Sequence, residues 1–141
     1  MVKIFETISI TCISFFLIIV FGVAISHLVT SIYNSTPRYE IYPVVWIDNI
    51  GIDRTPFKGE AFNVAIDYEL PNSCASPYSQ EFEVDNSTQS VDFLLYERTC
   101  INCGCYPAIY YYNHTFSITL QLAGDWTLRA GEVSINIEVY E

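Results

Sequence analysis

Three cysteines, Cys100, Cys103 and Cys105, fall within six positions of the stretch ERTCINCGCYPAIYYYNHTF (residues 97–116), with Cys74 upstream and His114 close behind. Such a set could hold a metal, exchange thiols with a disulfide, or staple a fold. Four thiolates suit tetrahedral zinc, but zinc modules usually present two C-x2-C pairs on separate knuckles. Here three cysteines crowd one turn and the fourth comes alone. Copper would find soft sulfur and nitrogen ligands in Cys100, Cys103, Cys105 and His114, without the axial Met common in blue-copper sites, since Met1 is the only methionine. A c-type haem needs C-x-x-C-H, and Gly104 stands where the histidine belongs. Disulfides ask only for an oxidising compartment and Cα atoms within about 7 Å. We read Cys74, Cys100, Cys103 and Cys105 as structural disulfides, expect no cofactor, and keep copper or zinc handling as the alternative.

Little else has catalytic spacing. The chain has no G-x-S-x-G, no Gly-rich phosphate loop and no H-E-x-x-H. Glu81 and Glu83 alternate on the polar side of a predicted strand, where solvated charge accounts for them. We expect no enzyme. The run Tyr110, Tyr111, Tyr112 has two readings: a rigid aromatic loop at an interface, since tyrosine buries a large area while keeping a polar tip, or an ordinary edge strand. N-x-S/T triplets at Asn34, Asn86 and Asn113 fit surface positions of an exported chain.

These residues need positioning. Of 141 residues, Ile8 to Ile32 contain no Lys, Arg, Asp or Glu and are apolar or weakly polar throughout. At about 1.5 Å per residue, a helix of this length crosses a hydrocarbon core roughly 30 Å thick. Residues 8–32 therefore read as a transmembrane signal-anchor behind a short tail, residues 1–7. The rival reading is a cleaved signal peptide, for which Ala24 and Ser26 make a passable cleavage pair, but signal cores run about 7–15 apolar residues. The bilayer is thus an expected partner. Lys3 and Arg38 flank the span and orient it weakly. Four cysteines beyond it indicate an oxidising, extracytoplasmic compartment for the C-terminal domain.

All acidic residues but Glu6, and all basic ones but Lys3, lie beyond Ile32, so this domain carries the whole formal charge of −10. Nucleic acid is excluded as a partner, because its affinity comes from clustered Lys and Arg, and anionic lipid headgroups are disfavoured. After a linker at residues 33–43, the pattern becomes alternating. Phe62, Val64, Ile66, Tyr68 and Leu70 share one face, as do Phe116, Ile118, Leu120 and Leu122, and Val133, Ile135, Ile137 and Val139. Period two over these lengths is a half-buried strand. Weaker strands read at PVVWIDNI, EFEV, SVDFLLYE and DWTLRA. About seven short strands with one apolar face each predict an all-β, antiparallel, two-sheet sandwich over residues 44–141.

The succession LPNSC after an alternating strand, a later cysteine-bearing segment, then TFSITL, AGDWTLRAG and VSINIEV resembles small secreted or membrane-anchored immunoglobulin-like sandwich domains of uncharacterised bacterial and archaeal envelope proteins. The likeness covers about residues 60–140. It departs from that pattern at Ser73, where glycine is usual, at Trp126, where tyrosine is usual, and in carrying three cysteines where one is expected. It implies no catalytic residue. It does imply a bridge from Cys74 to the triplet, clamping the loop after one strand to the loop before another. A Cys103–Cys105 pair is the most strained remainder, which leaves Cys74–Cys105 with Cys100–Cys103, or Cys74–Cys103 with Cys100–Cys105.

These observations lead us to expect a non-catalytic, single-pass, membrane-anchored accessory subunit, with other membrane protein subunits as partners and an interface at Tyr110–Tyr112. The alternatives are an envelope adhesion or ligand-binding module and a copper- or zinc-handling protein.

Overall fold

The computed structural model describes residues 19–33 and 36–141 and separates two compact units, Met1–Pro37 and Arg38–Glu141. In the first, residues 19–33 form helix α1, exposed along its whole length. Fifteen residues reach about 22 Å, and among the described residues no helix is long and apolar enough to cross a membrane. Residues 8–18, which carry the first part of the expected span, lie outside the described residues.

The second unit is built from eight strands: β1 (Tyr39–Pro43), β2 (Trp46–Ile52), β3 (Ala61–Asn72), β4 (Ala75–Asp85), β5 (Ser90–Cys100), β6 (Pro107–Thr119), β7 (Gly124–Ala130) and β8 (Val133–Val139). They make two sheets. One runs β2-β3-β6, and the other is centred on β5. On one side β5 pairs with β4, from Ala75↔Thr99 to Asp85↔Ser90. Its other pairings divide along its length: β1 takes the half from Tyr96 to Cys100, and β7 takes Ser90 to Phe93 and continues to β8.

Three expectations are corrected. There are eight strands rather than about seven. The β5–β7 pair is parallel, while every other pair of these strands is antiparallel. Residues 39–43, expected in the linker, form β1; every residue of it is exposed, so no alternation marked it.

The alternating segments fold as their pattern dictates. Phe62, Val64, Ile66, Tyr68 and Leu70 of β3 are all buried, as are Phe116, Ile118 and Leu120; Leu122, expected on the same face, lies past the end of β6 and is exposed. Against them pack Val91, Phe93 and Leu95 of β5 and Trp126, Leu128 and Ala130 of β7. The Phe93 and Phe116 rings, one from each sheet, meet at 4.9 Å between centroids. Each such large apolar side chain contributes on the order of 2 kcal/mol by leaving water. Trp126 is 1 % exposed, and its indole N–H donates to the Leu122 carbonyl at 3.0 Å.

Turns follow local chemistry. Gly131, at φ 55°, heads the two-residue β7–β8 loop, a position that glycine fills without steric cost. In the β4–β5 hairpin the Asp85 carboxylate accepts from the Ser87 hydroxyl, the Ser87 N–H and the Thr88 N–H. The Ser87 and Thr88 donors, the side-chain hydrogen bonds foremost, hold its pKa down at about 2. Because the folded value lies below the unfolded one, the native state binds fewer protons, and the stabilisation is present above about pH 4 and lost as pH falls towards 2. Asp85→Ala is therefore expected to lower the melting temperature at pH 5–7, with the two proteins converging as the pH is lowered to about 2. A thermal scan at each pH checks this.

Candidate functional site

Two chain crossings between the sheets lie side by side at one end of the sandwich. The first, Ser73–Cys74, takes the chain from β3 to β4, and the second, residues 101–106, takes it from β5 to β6. The Ser73 N–H donates to the Tyr106 carbonyl at 3.2 Å and the Tyr106 N–H donates to Ser73 Oγ at 2.8 Å. The Cys100 N–H donates to the Cys74 carbonyl. Into this ladder is set the bridge Cys74–Cys105, with Cα atoms 5.4 Å apart, while Cys100–Cys103 closes a four-residue loop at 5.6 Å. Of the two pairings left open by the sequence, this is the first. The chain comes into the domain at the same end: Arg38 receives the Ile101 N–H on its carbonyl and gives its own N–H to Asn102 Oδ1 at 2.7 Å.

The metal-ligand set is not brought together. All four cysteines are in bridges, and His114 stands on β6, roughly 20 Å beyond Pro107 at about 3.3 Å per residue. It lies edge-on to Phe116 at 4.6 Å. No group of three or more His, Cys, Asp or Glu that could hold a metal occurs among the described residues.

Of the two readings of the tyrosines, loop or edge strand, the structure gives the edge strand. Tyr110, Tyr111 and Tyr112 pair with Leu70, Glu69 and Tyr68 in the β3–β6 register, on a strand whose partner in the sheet is β3. Tyr112 is half-buried and stacks on Tyr68 at 5.7 Å, so it belongs to the packing. Tyr111 is 74 % exposed, and the charge of Glu69 beside it holds its phenol above the ordinary value. Asn86 is exposed in the β4–β5 turn; Asn113 is exposed on β6 and donates its amide to Asp67 at 2.6 Å; Asn34 lies outside the described residues. Glu81 and Glu83 are exposed on β4.

A hollow that the sequence did not suggest opens where the chain leaves β1 for β2. It measures about 240 Å³ and is lined by Tyr42, Val45, Trp46, Glu69, Pro71 and Glu97. Strand pairing assembles it: Tyr42 lies opposite Glu97 and Trp46 opposite Glu69, which in turn lies opposite Tyr111. Burial pushes the Glu97 carboxyl above its usual range, only partly offset by the Thr99 hydroxyl. Hydrogen bonding to Glu40 raises the Tyr42 phenol. The ion pairs among the described residues, Lys58–Glu141 and Arg129–Asp92, leave Glu69 and Glu97 without a cationic partner. A larger hollow of about 390 Å³ near Arg54 and Glu138 differs in that its charged groups are engaged within the chain, Arg54 by the Ala61 carbonyl, Asp53 by Asn63 and Glu138 by Tyr140.

Comparison with protein-family models, with curated proteins and with solved structures finds no match for this chain.

Proposed function

We propose that this protein is a non-catalytic, single-pass membrane-anchored accessory subunit of a larger extracytoplasmic membrane assembly, docking through the disulfide-bearing end of an immunoglobulin-like sandwich. The observation that carries the reading is where the exposed large apolar side chains gather. Tyr39 and Ile41 on β1, Val45 and Trp46 after it, Tyr106 on the second crossing, and Ile109 and Tyr111 at the start of β6 are each more than half exposed. Strand register places them at one end of a well-buried core, and exposed apolar side chains gathered at one end support contact with another molecule. Two bridges and a backbone ladder fix the loops at that end, so little conformational entropy is left to lose on docking. The uncharged run Ile8–Ile32 supports anchoring, four oxidised cysteines support an extracytoplasmic domain, and the acidic composition supports a protein rather than a nucleic-acid partner.

The test is co-purification from native membranes in mild detergent. Replacing Tyr106 and Tyr111 by Ala, with Tyr112 kept because it packs on Tyr68, is expected to strip the partners. Exposed substitutions change stability by about 0.5 kcal/mol or less each, so the melting temperature should barely move. A wild-type chain that purifies alone would overturn the reading.

A further inference from the structure

The hollow beside β1 combines two aromatic rings with two carboxylates that form no ion pair with a cation among the described residues. Among the described residues, Arg98 lies over the Tyr39 ring at 4.8 Å, Arg129 is forked onto Asp92, Lys58 pairs with Glu141 and Arg54 reaches the Ala61 carbonyl. At about 240 Å³ the hollow falls below the roughly 300–1,000 Å³ of sites for small organic ligands, a size that suits one inserted side chain.

We propose that this hollow is the receptor for an arginine side chain projecting from a partner protein, held against Trp46 and Tyr42 with Glu69 and Glu97 as its counter-charges. A planar guanidinium stacks on an indole face and presents donors in more than one direction, which one ring face with two separate carboxylates can use and a compact ammonium uses less well. The charge of the domain agrees in sign, since the field of a chain at −10 draws a basic segment towards it. Glu97 supplies the stored drive: its carboxylate is partly desolvated and lacks a cation, so the arriving guanidinium compensates a cost the domain already bears. The inference rests on the reading of the domain as a docking module and names the chemistry of the partner at one point of that surface.

The experiment uses the two tryptophans of the full chain, labelled with indole ¹⁵N and held in non-ionic detergent. Trp46 is 52 % exposed at the hollow, while Trp126 is buried and serves as an internal reference. The probe is N-acetyl-triarginine amide, and the controls are its citrulline isostere, the trilysine peptide and chitotriose. The triarginine peptide should move the Trp46 signal saturably, with a dissociation constant on the order of 1 mM, and leave Trp126 in place. Glu69→Gln with Glu97→Gln should weaken binding about tenfold or more without shifting Trp126. An equal response to citrulline, to trilysine or to chitotriose, or no response of Trp46, would overturn the proposal. Partners that survive both Gln substitutions, with Trp46 silent, would remove the arginine site and keep the subunit. A chain that purifies alone yet binds triarginine would do the reverse.

Discussion

A chain carrying Cys74→Ser and Cys105→Ser together is expected to lose about 3–4 kcal/mol of stability. The bridge joins positions 31 residues apart, and restricting a loop of that length in the unfolded chain is worth about this much. At about 4–8 °C per kcal/mol for a domain near 100 residues, the melting temperature should fall by more than about 12 °C. The double replacement matters, because a lone Cys105 thiol would be free to attack the Cys100–Cys103 bridge; its sulfur lies 3.3 Å from the Cys103 carbonyl oxygen and 3.7 Å from that of Cys100. Removing Cys100 and Cys103 instead opens only a four-residue loop and should cost about 2 kcal/mol. Denaturant titration of the full chain in non-ionic detergent measures both. Equal losses would show that the long bridge is not the principal clamp between the crossings.

Trp126→Ala is the second large effect, at about 3–5 kcal/mol, the usual cost of emptying a buried aromatic site. The ring is enclosed by a core assembled from both sheets, and its N–H is committed to the Leu122 carbonyl. Trp126→Phe keeps most of the volume and should cost about 1–2 kcal/mol, through the lost hydrogen bond and residual space. Near-ultraviolet circular dichroism through a denaturant series separates the two variants. A Trp126→Ala chain with an unchanged midpoint would mean that the indole contributes no packing.

How far the sequence could be read depended on whether a segment's neighbours are local. Ala61–Asn72 was legible almost to the residue, because one face of β3 is buried along its length and the alternation is complete. Tyr39–Pro43 was not, because a strand exposed at every position carries no period-two signal and its proline and tyrosine read as connector. The first half of β6 stayed between loop and edge strand for a related reason: Ile109, Tyr110 and Tyr111 are exposed in succession, and alternation becomes regular only from Tyr112. The bridge pairing was left between two possibilities, since one spacing allows both. What selects Cys105 for Cys74 is the hydrogen-bonded ladder between Ser73 and Tyr106, a relation of two crossings through residues 33 positions apart. The hollow was wholly invisible, because Tyr42 and Glu97 meet only through a strand pair linking positions 55 residues apart.

The division of β5 between β1 and β7 has a consequence in time. A chain that emerges from its N-terminus presents β1 to β5 as soon as Cys100 has appeared, and the Cys74–Cys105 bridge can close five residues later. The neighbouring stretch Ser90–Phe93 must wait for Thr127–Ala130, its parallel partner, to follow. Until then β5 is half zipped, with one end oxidised and paired and the other presenting unfilled backbone groups beside Val91 and Phe93. An unpaired edge of this kind invites other strands. Slow delivery of the last 40 or so residues thus lengthens the interval in which the molecule is covalently closed but open to misassembly.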